Sequence, residues 1–241
     1  MVRSVLHGEV MKRRVAILIS GRGSNMLALV EAAKPADFPA EIVLVISNRT
    51  DAGGLERAAA SGIPTLAIES KPFGRDRAAF EAVLQSALDQ HNIELICLGG
   101  FMRLFTAEFV QRWYGRMLNI HPSLLPSFPG LEPQAQALRA GVKISGATVH
   151  FVIPETDAGP ILMQGAVAVR DDDTPRTLGM RILEIEHRIY PAALRLVAGG
   201  LVRLEGDICK SADGGGSDDH LISPAIDQAG RGGGSKQNPP A

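Results

Sequence analysis

The sequence MLNIHPSLLP, residues 117–126, decides how this chain folds around its most reactive side chains. Its apolar start is typical of a short buried strand, in which successive side chains point to opposite faces. Asn119 and His121 therefore project together, while Ile120 turns back into the core. Pro122 keeps His121 extended, because a residue before proline avoids the helical region. The stretch predicts an amide and an imidazole at the carboxyl end of a strand, a pair suited to polarising a carbonyl group and moving a proton.

Apolar runs and amphipathic stretches of helical length alternate on both sides of this strand. The predicted strands are 15–20, 41–47, 64–68, 95–99 and 117–120, and the predicted helices are 24–33, 55–61, 76–91 and 106–112. This order indicates right-handed crossovers and a mostly parallel sheet. A helix at 132–140, two antiparallel strands at 144–153 and 161–169, and a long helix from Thr174 to about residue 197 follow. We predict an α/β fold with a Rossmann-like open sheet, helices on both faces and an antiparallel C-terminal strand pair.

Composition favours one cytoplasmic domain. The 241 residues carry a formal net charge of −1, which argues against a general nucleic-acid surface. No apolar run reaches the roughly 18 residues of a membrane span, and two cysteines are too few for a disulfide framework. We expect residues 1–12 to be a disordered extension, with Met1 or Met11 as the start, residues 13–210 to be the folded domain, and the Gly/Ser/Pro-rich residues 211–241 to be a disordered tail.

A glycine-containing turn, SGRGSNM at residues 20–26, follows the first strand directly. Glycines let the backbone approach a ligand, and the N–H groups that begin the next helix favour a phosphate. A dinucleotide fingerprint would require a third glycine where Met26 stands and an acidic residue after the second strand, where the chain has Ser47 and Asn48. The turn therefore suits a single phosphate on a small molecule. The structural alternative is a plain helix cap formed by Ser24.

The segment GGFMRLF, residues 99–105, follows the fourth strand. In open parallel sheets, ligands bind beyond the carboxyl ends of the strands, near the point where strand order reverses. Met102, Leu104 and Phe105 are candidates to line a slot for a flat heterocycle. The alternative is that these side chains only pack against the helix that follows.

A strand that ends in an acidic loop, HFVIPETDAGP, occupies residues 150–160. A carboxylate folded toward His121 would stabilise its imidazolium form. Asp157 is the better candidate because Ala158 and Gly159 give the backbone freedom, whereas Glu155 is expected to be solvated. His150 is either a structural residue of the strand or part of the site. No Cys or His cluster has metal-ligand spacing, so we predict no metal.

The chain resembles the phosphoribosylglycinamide formyltransferase family, in motifs spread from about residue 14 to about residue 206. The matching motifs, in family order, are SGRGSN, GFMR, NIHPSLLP, GATVHFV and EHRIYP. The resemblance implies the formyltransferase fold and a role for each of several groups. These are Asn119, His121 and Asp157 in catalysis; Gly23, Ser24 and Asn25 on the substrate phosphate; Arg77, Met102, Arg103, Leu104, Phe105, Asn119, Ile153, Pro154, Glu155, Thr156 and Asp157 on the folate; and Leu183, Glu184, Ile185 and Glu186 on the ribonucleotide.

The implied reaction transfers a formyl group from the co-substrate 10-formyltetrahydrofolate to the amine of 5'-phosphoribosylglycinamide, in purine (IMP) biosynthesis. The implied partners are these two small molecules, with neither nucleic acid nor membrane, and the chain is expected to be a monomer or a homodimer. The sequence departs from the family at Glu132-Pro133-Gln134, where many relatives carry a pair of histidines, and Phe105 replaces a residue that is often aliphatic in relatives.

Three alternatives remain. Formyltetrahydrofolate hydrolase shares a related catalytic domain, preceded by a regulatory domain, but only about a dozen residues precede the first strand here. Methionyl-tRNA formyltransferase adds a C-terminal nucleic-acid-binding domain, whereas this tail is Gly-rich and has no basic excess. A nucleotide-sensing Rossmann protein, which binds without turnover, would not need Asn119, His121 and Asp157 together.

Overall fold

Ten strands, six α-helices and one short 3-10 helix (Lys71–Phe73) follow one another in the computed structural model, which describes residues 12–211 and 222–223. The strands are β1 (Arg13–Ile19), β2 (Ala40–Ser47), β3 (Thr65–Ala67), β4 (Leu95–Leu98), β5 (Met117–His121), β6 (Ile144–Phe151), β7 (Ile161–Ala168), β8 (Val202–Glu205), β9 (Ile208–Ser211) and β10 (Ile222–Ser223). The helices are α1 (Ser24–Ala32), α2 (Gly53–Ala60), α3 (Arg77–Gln90), α4 (Ala107–Arg112), α5 (Pro133–Arg139) and α6 (Pro175–Ala198).

The main sheet has the strand order β10-β7-β6-β5-β4-β1-β2-β3. Strands β1 to β5 pair in parallel, whereas β6, β7 and β10 pair antiparallel to their neighbours. The chain builds β1, β2 and β3 outward and then returns to the other side of β1 with β4, so strand order reverses between β1 and β4. The predicted fold class is confirmed. The carboxyl ends of β1, β4 and β5 lie beside one another at the point where open sheets bind ligands.

Two apolar cores cover the two faces of the sheet, and successive side chains of β1 point alternately into one core and the other. Val15, Ile17 and Ile19 lie in the core shared with α1 and α6, and Ala16 and Leu18 lie in the core shared with α3 and α4. All five side chains are fully buried. Burial on both faces explains why this strand is apolar throughout rather than alternating with polar residues.

The long helix α6 is fixed at its start by a cap and in its middle by a buried tyrosine. Thr174 is the N-cap, as predicted, and its hydroxyl accepts the N–H of Thr177 at 3.2 Å. The Tyr190 hydroxyl is 3.0 Å from the carbonyl oxygen of Leu98 and 3.1 Å from that of Leu118. One hydroxyl proton is thus shared between the last residue of β4 and the second residue of β5, which ties α6 to the two strands that lead into the site.

The structure extends the sequence prediction at its C-terminal end. The hairpin of β8 and β9 has no counterpart in the prediction, which assigned no element after α6. Ile222–Ser223 pairs with β7 through Gly165 and Gln164. Apart from Lys12, Ser211 and these two residues, the predicted N-terminal extension and C-terminal tail lie outside the described residues. Among the described residues, no helix is long and apolar enough to cross a membrane.

Close packing between β6 and β7 generates a stability prediction. A Cβ at Gly146 would overlap the carbonyl oxygen of Gly165, which is backbone and cannot swing away. Gly146→Ala should therefore lower the free energy of unfolding by about 1–3 kcal/mol. Gly53→Ala, at the first residue of α2, is the matched control, because a Cβ added there would meet no atom within 4 Å. Urea unfolding of both variants checks this, and an unchanged midpoint in Gly146→Ala would contradict the packing described.

Candidate active site

The two polar residues of β5 lie at the carboxyl end of the strand and face the same group of side chains. His121 is the last residue of β5 and is buried; Asn119, two residues earlier, is half-buried. Ile120 lies between them and packs into the core with α1 and α6. The period of two residues in a strand thus delivers an amide and an imidazole to one place.

Both ring nitrogens of His121 face oxygen atoms. Nε2 lies 3.0 Å from the carbonyl oxygen of Phe128, and Nδ1 lies 3.4 Å from Oδ2 of Asp157. A neutral imidazole has one N–H, so it can donate to only one of these acceptors. An imidazolium has two N–H groups and can donate to both oxygen atoms.

Asp157 is held beneath His121 by the backbone of a neighbouring loop. Its Oδ2 accepts the N–H of Gly130 at 2.8 Å, and its side chain is only 9% exposed. The residue has a φ of 54°, in the left-handed region that aspartate tolerates better than most residues. Glu155, the other carboxylate of the loop, is exposed. The structure thus brings Asp157, and not Glu155, to His121.

The structure places His150, for which the sequence leaves a structural and a site role open, beside Asn119 and Asp157. In the antiparallel pairing of β5 with β6 it lies directly opposite Asn119. Its Nε2 is 3.2 Å from Nδ2 of Asn119 and 3.9 Å from Oδ1 of Asp157. Its Nδ1 is 3.0 Å from the carbonyl oxygen of Phe151. Burial lowers the pKa of His150, against the smaller opposing effects of the Phe151 carbonyl and the Asp157 charge. Only the register of the two strands could have revealed this position.

The turn between β1 and α1 places a helix N-terminus at the same edge of the sheet. Gly23 is the N-cap, with a φ of 69° and no side-chain cap, so the alternative in which Ser24 caps the helix is wrong. A Cβ at Gly23 would lie 2.9 Å from Met26 and 3.2 Å from Gly54, so this crowded position favours glycine. The first N–H groups of α1 have no intrahelical acceptor and are available to an anion.

Asn25 joins this turn to the middle of α6. Its Nδ2 donates to Oε2 of Glu186 at 2.6 Å, while its Oδ1 is buried without a hydrogen-bond partner among the described residues. Burial raises the pKa of Glu186, and the bond from Asn25 partly opposes that effect. Of the four predicted ribonucleotide residues, Glu186 is the one joined to α1. Glu184 is exposed, and Leu183 and Ile185 are half-buried.

The loop after β4 is attached to the end of β1, as the predicted convergence requires. The backbone N–H of Met102 donates to Oγ of Ser20 at 2.8 Å, and that hydroxyl donates to Oδ1 of Asn48 at 2.6 Å. The side chains of Met102 and Leu104 are 70% and 56% exposed. These exposed apolar side chains therefore lie beside the converging strand ends.

Phe105 follows the alternative interpretation, in which it packs against the next helix. Its ring stacks between Phe101, at 5.3 Å, and Phe109 of α4, at 4.7 Å. Arg103 lies over the ring of Phe80 at 4.8 Å and donates to the carbonyl oxygen of Gly74 at 3.3 Å. These contacts connect the loop to the start of α3.

The remaining predicted folate residues lie at the surface around these loops. Arg77 is the exposed first residue of α3. In the loop after β6, Ile153 is half-buried, and Pro154, Glu155 and Thr156 are exposed. Within the described ranges, no group of three or more His, Cys, Asp or Glu side chains is placed to hold a metal ion.

The segment that departs from the family pattern begins α5. Glu132 is the N-cap, with a φ of 54°, and Pro133 is the first helical residue. Nε2 of Gln136 donates to the carbonyl oxygens of Pro129 and Leu131 at 3.0 and 2.9 Å. The helix therefore fixes the loop whose backbone contacts both His121 and Asp157.

Comparison with known proteins identifies the family of this chain. A sequence model described as "Formyl transferase" matches residues 13–194. The trifunctional purine biosynthetic protein adenosine-3 of Gallus gallus is 48% identical over 212 residues, and the match covers 86% of this chain and 21% of that protein. The chain thus spans about a fifth of the length of that relative.

Relatives of matching length also exist. The phosphoribosylglycinamide formyltransferase of Bacillus subtilis is 41% identical over 187 residues, which are 78% of this chain and 95% of that protein. The crystal structure of glycinamide ribonucleotide transformylase 1 from Symbiobacterium toebii superposes with a TM-score of 0.82 at 44% identity, covering 86% of this chain and 98% of that one. The chain therefore belongs to the formyl transferase family and, within it, to the phosphoribosylglycinamide formyltransferases.

Proposed function

We propose that this chain transfers the formyl group of 10-formyltetrahydrofolate to the amine of 5'-phosphoribosylglycinamide, through Asn119, His121 and Asp157. The family uses 10-formyltetrahydrofolate and acts in de novo purine biosynthesis. The observation that carries the assignment of residues is the contact of His121 with Asp157, beside Asn119, at the carboxyl end of β5. The two small molecules are the proposed partners of a monomer or homodimer in the cytoplasm.

The reaction needs hydrogen-bond donors where negative charge develops. The amine attacks the formyl carbon, and charge accumulates on the formyl oxygen. Asn119 has two amide N–H groups, and the contact with His150 uses only one of them. The second makes no hydrogen bond to the described residues and can donate to the formyl oxygen, and such oxyanion stabilisation is commonly the largest catalytic contribution.

His121 supplies the second donor from Nδ1 rather than from Nε2. The contact of Nε2 with Phe128 has an ordinary hydrogen-bond length of 3.0 Å, whereas Nδ1 and Asp157 are 3.4 Å apart, longer than most. The N–H that is held less tightly by the protein is the one available to the substrate. Phe128 meanwhile fixes the orientation of the ring.

Asp157 balances the charge of His121 and assists the movement of a proton. The attacking amine must lose a proton, and the leaving N10 of the folate must gain one. A water molecule on the carboxylate of Asp157 can relay that proton while the C–N10 bond breaks. The formyl group ends on the new amide, and tetrahydrofolate leaves without a covalent enzyme intermediate.

The two substrates bind on opposite sides of Asn119, His121 and Asp157. The phosphate of the ribonucleotide lies on the N-terminus of α1, at Gly23, Ser24 and Asn25, and Glu186 accepts a hydrogen bond from a ribose hydroxyl. The buried Oδ1 of Asn25 has no partner among the described residues, and as an acceptor it supports a ligand that donates a hydrogen bond there, such as a hydroxyl group. The pterin lies against the loop after β4 and residues 153–157, where Met102 and Leu104 expose apolar surface, and Arg77 faces the folate tail.

The test is formyl loss from 10-formyltetrahydrofolate, measured with and without the ribonucleotide. Loss should require the ribonucleotide, and Asn119→Ala and His121→Ala should each slow it by about a hundredfold to a thousandfold, because each removes an oxyanion donor. Asp207→Asn, an exposed residue of the β8–β9 turn, is the control that keeps full activity. Formyl loss to water at the same rate without the ribonucleotide would instead establish a hydrolase, and full activity in both alanine variants would refute the assigned roles.

Glu186 generates a second prediction, because its burial opposes ionisation. Its folded pKa is raised above the ordinary value of 4.5, so the folded state binds the proton more tightly than the unfolded chain. Stability contributed by the protonated carboxyl is complete below about pH 4.5 and is lost as pH rises through the folded pKa. Glu186→Gln stays neutral and can still accept the bond from Asn25.

The variant should therefore gain stability relative to the parent chain as pH rises from about 4 to 7, and should raise the KM for the ribonucleotide. Denaturant unfolding across that pH range, with Asp207→Asn as the control, measures the first effect. A stability difference that is constant with pH, or that grows toward acid, would contradict the buried position of this carboxyl.

A further inference from the structure

His150 makes two hydrogen bonds that together define which ring nitrogen carries a proton. Nδ1 is 3.0 Å from the carbonyl oxygen of Phe151, which is an acceptor only, so Nδ1 carries hydrogen. Burial, with 3% of the residue exposed, disfavours a second proton and lowers its pKa. Nε2 is then an unprotonated acceptor. This tautomer is assigned from the contacts of the ring.

The acceptor on His150 fixes the orientation of the Asn119 amide. Nδ2 of Asn119 lies 3.2 Å from Nε2 of His150, and the pairing of β5 with β6 sets the two residues opposite each other. The two ends of an amide are nearly equal in size but opposite in hydrogen bonding. If the amide turned over, its oxygen would face the lone pair of Nε2, and an oxygen instead of an N–H would face the reacting carbonyl.

The charged groups around His150 are Asp157, with Oδ1 at 3.9 Å from Nε2, and the His121 ring on the far side of that carboxylate. Their effects on the charge of His150 oppose each other. Gly159 packs directly behind the ring, because a Cβ there would overlap the carbonyl oxygen of Phe151 and lie 3.5 Å from Nδ1. The carbonyl that selects the tautomer is thus held in place by close backbone packing.

We propose that His150 is a positioning residue, which as a neutral acceptor turns the Asn119 amide so that its second N–H points at the formyl oxygen. The inference rests on the proposed role of Asn119. It assigns to His150 neither proton transfer nor contact with either substrate.

Two substitutions distinguish the roles of the two ring nitrogens of His150. His150→Asn places an amide N–H near the position of Nδ1 but is too short to reach Asn119. His150→Gln is long enough to place an acceptor oxygen near the position of Nε2. We expect His150→Asn to lower kcat by about tenfold, the effect of one lost hydrogen bond, with both KM values within about twofold of the parent enzyme. His150→Gln should recover most of the loss, and equal damage in both variants would overturn the proposal.

Combination with Asn119→Ala tests whether His150 acts through Asn119. In the Asn119→Ala background, His150→Asn should cause no further loss, whereas independent, multiplying losses would overturn the inference. Full activity of Asn119→Ala alone would refute the proposed function instead, so the two failures are distinct. The pH dependence of kcat should keep its midpoint in His150→Gln; a displaced midpoint would identify a proton carrier and contradict the proposal.

One measurement needs no variant. Nitrogen-15 NMR of the histidine rings in the intact chain at pH 7 should show His150 neutral, with its proton on Nδ1. A proton on Nε2, alone or together with Nδ1, would overturn the inference even if His150→Asn failed to fold.

Discussion

The contact between His121 and Asp157 is the constraint on which the site depends. Both side chains are less than 10% exposed, and buried ionisable groups are costly unless each remaining polar atom has a partner. One loop provides both of the missing partners, the carbonyl of Phe128 for the imidazole and the N–H of Gly130 for the carboxylate. Phe128 and Gly130 both have positive φ values, so the pair is satisfied only while the loop keeps an uncommon conformation.

The sheet explains why this pair lies near the turn before α1 and beside a second histidine. The reversal of strand order between β1 and β4 brings the turn before α1 beside the end of β5, and the antiparallel strand β6 sets His150 opposite Asn119. Helix α6 contacts two of these elements. Tyr190 donates a hydrogen bond to the last carbonyl of β4, and Glu186 accepts one from Asn25 of α1. Burial raises the pKa of the Glu186 carboxyl, so the fold disfavours its ionisation.

Features that depend on local sequence were predictable, and features that depend on distant pairing were not. The period of two residues placed Asn119 and His121 together, and Thr174 followed by proline marked the start of α6. The position of His150 opposite Asn119 depends on strand register, which no local pattern encodes. Gly23, rather than Ser24, caps α1, and this was not predictable because its positive φ and its crowding by Gly54 exist only in the folded turn. The sequence predicted α4 but left open whether Phe105 packs against it, because the stacking of Phe105 on Phe109 depends on the folded loop.

The most direct test of the account is a crystal structure of the chain with 5'-phosphoribosylglycinamide and a folate analogue whose carbonyl group cannot be transferred. The account predicts the carbonyl oxygen of the analogue within about 3 Å of Nδ2 of Asn119, with His121 beside it and the phosphate on the N-terminus of α1. A carbonyl oxygen turned away from both Asn119 and His121, or a phosphate bound elsewhere, would contradict it.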